Sequence, residues 1–156
     1  MPDELTLRRA APDDTDAVHA LVHSAYAKWV PVIGRPPKPM TVDYAWAITA
    51  HRIDLLHQGG ELVGLIELIV EDDGLLLIEN VAVSPSSQGK GIGRRLMGHA
   101  EHVAAEGGMG RLRLYTNEQF TENIRLYRRL GYRIDGEEPF GGGKIVHMSK
   151  DLTSHP

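Results

Sequence analysis

Residues Gln88-Gly89-Lys90-Gly91-Ile92-Gly93-Arg94 follow an apolar run, Leu75 to Val83, and open an amphipathic one. This reads as a glycine-rich turn from a strand into a helix, and such a turn can hold phosphate. The first turn of a helix has backbone N–H groups with no partner inside the helix, and the aligned peptide dipoles add partial positive charge there. Glycines at 89, 91 and 93 clear side chains from those groups and allow backbone angles closed to other residues. Lys90 and Arg94 add full charges at the rim. Spacing excludes two kinds of phosphate site. A nucleoside-triphosphate loop needs Gly, four residues, then Gly-Lys-Ser/Thr, and no Ser or Thr follows Lys90. A dinucleotide fingerprint needs glycine where Arg94 stands and belongs to a first strand-helix unit, whereas this turn lies past mid-chain.

What remains, Gln-x-x-Gly-x-Gly after Val81-Ala82-Val83, resembles the acyl-CoA pyrophosphate loop of the GNAT superfamily of N-acetyltransferases. A second block strengthens the resemblance. Tyr115-Thr116-Asn117-Glu118 leads into Asn123-Ile124-Arg125-Leu126-Tyr127-Arg128-Arg129-Leu130-Gly131-Tyr132, which is similar to the family's helix carrying Asn and Tyr four residues apart and ending in Gly-Tyr. The separation of the blocks also fits, and the resemblance covers essentially the whole chain, thinnest between Trp29 and Trp46.

The resemblance implies an α+β fold in a single domain over residues 1–156: a strongly bent mixed sheet of about seven strands flanked by about four helices. Its fourth and fifth strands, here Leu75 to Val83 and Arg111 to Tyr115, would splay apart and admit the pantetheine arm of acetyl-CoA. An extended arm carrying amides can pair with a strand's N–H and C=O groups, so Val81 and Val83, with Ala82 between them, are the expected partners. Gln88, Gly89, Lys90, Gly91, Ile92, Gly93 and Arg94 would hold the diphosphate. Asn123 fits the pantetheine or diphosphate, while Asn117 fits the cofactor or a helix cap.

Moving acetyl from a thioester to an amine needs a neutral amine, a polarised carbonyl oxygen and a proton for the departing thiolate. Glu79 is the expected base, since its neighbours in Leu77-Ile78-Glu79-Asn80-Val81 are mostly apolar and such surroundings raise a carboxylate's pKa. In some family members the base falls where Leu77 stands here. Glu79 also suits binding of a cationic acceptor, or a structural pairing with a basic side chain, and Glu67 is the alternative base. The resemblance places the Tyr127 hydroxyl near the cofactor sulfur, where it could protonate the thiolate; Phe120, Ile124, Tyr127 and Leu130 also make an ordinary core stripe. The oxyanion falls to a backbone N–H near Val81.

Tyr26, Trp29, Tyr44 and Trp46 surround a proline-rich stretch that would cover the acceptor site, and Tyr26, Trp29 and Tyr44 are the expected substrate walls. Packing alone also accounts for Trp29. His19 and His23 stand one turn apart without a third ligand, so no metal is expected. The reading is an acetyl-CoA-dependent N-acetyltransferase acting on a small-molecule primary amine by direct attack in a ternary complex. Its alternatives are a non-catalytic acyl-CoA sensor or subunit and an enzyme acting on protein lysine or N-terminal amines. A homodimer is the habit of the family.

Composition narrows the classes. Lys+Arg 17 against Asp+Glu 21 gives net charge -4 with no basic block, which argues against a nucleic-acid surface and mildly favours a cationic substrate. The absence of cysteine excludes disulfides and a thiol nucleophile. Leu62 to Val70, interrupted by Glu67, falls short of the ~20 residues a membrane helix needs. Met1 to Ala10 lacks a signal peptide's apolar core, so a cytoplasmic location is expected.

These groups need positioning elements. Leu5 to Arg9 reads as a strand, and Pro12-Asp13-Asp14 starts a helix bearing Val18, Leu21, Val22 and Ala25 at helical spacing, a stripe that Trp29 extends. Val30 to Met40 reads as a loop and Thr41 to Ala50 as a second short helix. Glu61 to Val70 and Leu75 to Val83 are strands around an Asp-Gly hairpin turn, Glu71-Asp72-Asp73-Gly74. Ile92, Leu96, Ala100 and Val103 mark the helix after the loop, which Gly107-Gly108 ends. Thr116 and Gln119 have capping-box spacing for a helix running to Leu130 and stopped by Gly131. Tyr132 to Glu138 and Lys144 to Lys150 close the chain as a hairpin around Gly141-Gly142-Gly143, and Thr153 to Pro156 is expected to fray.

Overall fold

The computed structural model describes residues 4–72 and 74–152. The expected turn at Asp73 and the expected frayed tail, Thr153 to Pro156, lie outside the described residues. In chain order the elements are β1 (Leu5–Arg9), α1 (Thr15–Tyr26), the single turn α2 (Val30–Ile33), α3 (Tyr44–Ala50), β2 (Arg52–Gln58), β3 (Glu61–Glu71), β4 (Leu75–Val83), α4 (Ile92–Glu106), β5 (Arg111–Asn117), α5 (Thr121–Arg129), β6 (Arg133–Phe140) and β7 (Gly143–Asp151). The strands form one mixed sheet in the order β1-β2-β3-β4-β5-β7-β6. β4 and β5 are parallel, and their pairing covers only Leu75 to Ile78 against Arg111 to Leu114. Both strands continue past that point, and this is the expected splay. Among the described residues no helix is long and apolar enough to cross a membrane.

The chain divides into two compact units, Met1–Leu68 with Asn80–Met97, and Ile69–Glu79 with Gly98–Pro156. In the first, the α1 stripe Val18, Leu21, Val22 and Ala25 is buried, as are Ile53, Leu55, Leu65 and Ile66 of β2 and β3. Ahead of α1 is a 3-10 turn, Pro12–Asp14, in place of α-helix. Asp14 ties that turn to β1: it accepts two bonds from Arg8, 2.8 and 2.9 Å, and one from the Ala11 N–H, 2.8 Å. These donors push its carboxyl down to about 2.

Three sequence expectations are corrected in this unit. The second helix starts at Tyr44 rather than Thr41, because the Asp43 side chain accepts from the N–H groups of Ala45 and Trp46 and caps it there. The stretch read as a loop holds α2 and, from Lys38 to Thr41, a 3-10 turn. Strand β2 had not been assigned. Its Asp54 breaks the apolar pattern, yet it is buried because Arg9 and Arg52 both bind it, at 3.2 and 2.8 Å.

In the second unit, Leu112, Leu114, Val146 and Met148 are buried on β5 and β7, with Ala100, Val103 and Ala104 of α4. β7 lies between β5 and β6, and every residue of the edge strand β6 is exposed. The expected capping box at Thr116 and Gln119 does not form. Thr116 belongs to β5, and Asn117 turns the chain by accepting the Gln119 N–H on Oδ1 at 2.9 Å, so α5 starts at Thr121. At its other end Gly131 adopts φ +97°, and the Tyr132 N–H reaches back to the Tyr127 carbonyl at 3.0 Å.

One glycine sets the height of α4 over the sheet. A Cβ at Gly64 of β3 would meet Ile92 Cγ2 at 3.0 Å, Leu96 Cδ1 at 3.1 Å and the Ala82 carbonyl oxygen at 3.2 Å. Gly64→Val should therefore push against the first turns of α4 and lower stability by roughly 1–3 kcal/mol. Chemical denaturation checks this, and an unchanged midpoint would contradict the packing argument.

Candidate functional site

The first unit contains the glycine-rich loop. A 3-10 turn, Pro85–Ser87, follows β4, and Gly89 and Gly91 then adopt φ +78° and +85°, a region that side-chain-bearing residues rarely enter. A Cβ at either glycine would meet nothing within 4 Å. The first backbone bond at the start of α4 runs from the Arg95 N–H to the Gly91 carbonyl, 3.0 Å. Ahead of it stand the N–H groups that every helix start leaves without an intrahelical partner. Such a loop, open in front and carrying Lys90 and Arg94, fits a diphosphate by the chemistry of its donors.

Side chains occupy the backbone of β4 just before this loop. Gln88 Nε2 donates to the Val83 carbonyl at 3.0 Å, and Lys28 Nζ donates to Gln88 Oε1 at 2.9 Å while lying 5.0 Å from the centre of the Trp29 ring. Tyr26 Oη lies 2.7 Å from Asn80 Oδ1 and 3.0 Å from the Val81 carbonyl. Asn80 Nδ2 donates to Tyr44 Oη at 3.2 Å, and Tyr44 donates to the Pro39 carbonyl at 2.6 Å. Two of the three expected substrate aromatics, Tyr26 and Tyr44, thus meet at Asn80, while Trp29 is buried beside Lys28. Trp46 is exposed and its ring stands edge-on to His51 at 5.0 Å. His51 Nδ1 lies 2.6 Å from Oε2 of the buried Glu67, so Glu67 has an imidazole partner. The rings of His19 and His23 are 4.0 Å apart. Among the described residues no three His, Asp or Glu gather in a way that could hold a metal.

The second unit contains Glu79 and Tyr127. Glu79 follows directly on Ile78, the last β4 residue paired with β5, and its Oε1 accepts from Tyr115 Oη at 2.5 Å. On the same face of β5 lies Arg113, which makes a two-pronged pair with Glu71 at 2.6 and 2.8 Å. That bond raises the guanidinium's pKa, with smaller contributions from Tyr115 and Glu79, and it holds Glu71 below the usual carboxylate range.

Asn123 and Tyr127 both lie on α5. The Tyr127 ring is buried, 6.2 Å from that of Tyr132, and its hydroxyl hydrogen-bonds to none of the described residues. Burial raises the Tyr127 phenol to about 12.

Asn80, Tyr115 and Lys28 were not singled out from the sequence. For Asn80 a signal exists: adjacent Glu79 and Asn80 in an apolar strand must point to opposite faces, so one is buried and needs a polar partner. Tyr115 follows from register, since parallel pairing at Ile78 and Leu114 sets Glu79 beside it. Lys28 and Gln88 lie far apart in sequence, and nothing local links them.

Comparison with known proteins adds an independent line. The model of the Acetyltransferase (GNAT) family matches residues 18–132. Streptothricin acetyltransferase of Streptomyces lavendulae is 44% identical over 61 residues, 39% of this chain and 32% of that protein, so the match spans about a third of its length. Spermine/spermidine N(1)-acetyltransferase of Bacillus subtilis (strain 168) is 31% identical over 105 residues, 62% of this chain and 68% of that one. Among solved structures, the PaiA N-acetyltransferase of Thermoplasma acidophilum in complex with coenzyme A shares the fold with TM-score 0.76 at 18% identity, covering 96% of this chain and 99% of that one.

The state of Tyr127 is testable without a substrate. Its phenol titrates near 10 when unfolded and about 12 when folded, so the stability gained from keeping it neutral is complete below pH 10. That stability should be lost as pH climbs through 12. The ultraviolet difference between wild type and Tyr127→Phe should show no phenolate signal until the pH passes about 11, and a midpoint near 10 would contradict the burial argument.

Proposed function

Because the chain belongs to the GNAT family of acetyltransferases, we propose that it moves an acetyl group from acetyl-CoA to a primary amine of a small molecule, by direct attack in a ternary complex. The observation that carries this reading is the loop, where positive-φ glycines open a helix start flanked by Lys90 and Arg94. Gln88, Gly89, Lys90, Gly91, Ile92, Gly93 and Arg94 would hold the diphosphate. The Val81 and Val83 carbonyls have Tyr26 Oη and Gln88 Nε2 at hydrogen-bond distance, and the N–H groups of these two residues are assigned to the cofactor's amides. Ala82 lies between them, and Asn117 and Asn123 complete the contacts. When bound, the cofactor supplies an activated thioester.

Glu79 takes the proton that the acceptor nitrogen sheds as it bonds to the acetyl carbon. The backbone N–H near Val81 stabilises the charge that develops on the carbonyl oxygen. Tyr127 acts on the departing sulfur. A phenol that ionises only at about 12 keeps its hydrogen throughout the working range, and a phenolate there is costlier than a thiolate. Tyr127 therefore stabilises the sulfur by donating a hydrogen bond, and solvent makes up the final proton. Tyr26, Trp29 and Tyr44 are buried, so they support the acceptor's surroundings through packing and through the tyrosine hydroxyls' hydrogen bonds rather than through exposed ring surface. The small amines in the names of the streptothricin and spermine/spermidine enzymes support an acceptor of that class.

Incubation with acetyl-CoA and a panel of amines that includes spermidine and streptothricin should release free thiol with at least one of them. No release above the amine-free rate would contradict the reading. Gly93→Asp places an anion and a side chain where phosphate must sit, and should abolish calorimetric binding of CoA while circular dichroism stays unchanged. Unimpaired binding would refute the loop assignment. Tyr127→Phe should retain CoA binding and lose turnover by roughly 10²-fold or more. Glu79→Gln should be slowest relative to wild type at low pH and partly recover as pH approaches the acceptor's own pKa. A raised KM with wild-type kcat would instead make Glu79 a binding group.

A further inference from the structure

Glu79 sits where β4 has just lost its parallel partner, so the strand pairing that fixes Leu75 to Ile78 no longer fixes this residue through β5. A carboxylate acting as base must still present one oxygen in a constant direction, because small misplacements of a reacting group cost rate steeply. The structure supplies a hold. Tyr115, one residue beyond the last paired residue of β5, donates its hydroxyl to Glu79 Oε1 at 2.5 Å. The tyrosine is itself braced. His147 is its cross-strand partner on β7, the two rings are 6.1 Å apart, and His147 Nε2 lies 2.7 Å from Glu138 Oε1 on β6. Each of the four strands β4, β5, β7 and β6 thus contributes one side chain to a connected row: Glu79, Tyr115, His147, Glu138.

We propose that Tyr115 is the positioning residue for Glu79, its bond to Oε1 fixing the direction of the carboxylate that receives the acceptor's proton, with His147 and Glu138 fixing the tyrosine ring. This rests on Glu79 being the base.

The test is a double-mutant cycle on the whole chain with Tyr115→Phe, which keeps the ring against His147, and Glu79→Ala. Two readouts are taken, the urea midpoint and steady-state kinetics on whichever amine of the panel wild type acetylates fastest. Tyr115→Phe should lower kcat roughly tenfold with KM within about twofold of wild type. In the Glu79→Ala background it should change neither kcat nor the midpoint, while in the wild-type background it lowers both. An equal loss in both backgrounds would make Tyr115 merely structural and overturn the proposal, as would a Tyr115→Phe enzyme with wild-type kcat. Wild-type turnover by Glu79→Ala would instead remove the base assignment, and no turnover of any amine of the panel by wild type would remove the enzymatic reading. The midpoint cycle reports on the contact in every case.

Discussion

After Ile78 the strand β4 runs on without its parallel neighbour, and most of the candidate chemistry follows from that break. Backbone polar groups withdrawn from water need partners, and a strand that loses a ladder must find them elsewhere. Here side chains provide them: Tyr26 bonds the Val81 carbonyl, and Gln88 folds back onto the Val83 carbonyl. Under the proposed function, this released edge is where an extended molecule rich in amides would pair. The same break lets Glu79 meet a side chain of β5 where β4 and β5 backbones are no longer paired.

The loop that follows depends on a second constraint, close approach. Gly64 allows Ile92 and Leu96 to lie directly on β3, which sets the start of α4 against the sheet. Gly89 and Gly91 then bring the chain into that helix through backbone angles that exclude side-chain-bearing residues. Three glycines therefore serve one helix start, one by close packing and two by backbone angle, and the donors there are held by packing rather than by flexible charged side chains. Lys28 reaches the loop through Gln88, so a residue just beyond α1 is tied to the same few backbone groups.

Much of this was legible in the chain itself. The bounds of β4 and the start of α4 agree with the sequence reading, because an apolar run, a glycine turn and a helical stripe adjoin without ambiguity. Tyr127 lies on the helix that the family resemblance and the stripe Phe120, Ile124, Tyr127 and Leu130 indicate, with Gly131 stopping it. The misses share a cause: each depends on a partner distant in sequence. β2 was hidden because Asp54 looks wrong for a buried strand until Arg9 and Arg52 are known to face it. The capping box at Thr116 failed because β5 gains two more residues by pairing with β7, Thr116 with Val146 and Asn117 with Ile145, which no local pattern records. Asn80 and Tyr115 were passed over because their value lies in what Tyr26, Tyr44 and Glu79 need.

The central claim is that the Val81–Val83 edge and the loop from Gln88 to Arg94 bind acetyl-CoA through backbone N–H groups. Amide hydrogen exchange of the wild-type chain, with and without CoA, tests it directly. The account predicts slowed exchange at Val81, Val83 and the amides from Gly89 to Arg94, with the exposed strand β6 unchanged. Protection confined to other segments, or none at saturating CoA, would contradict it.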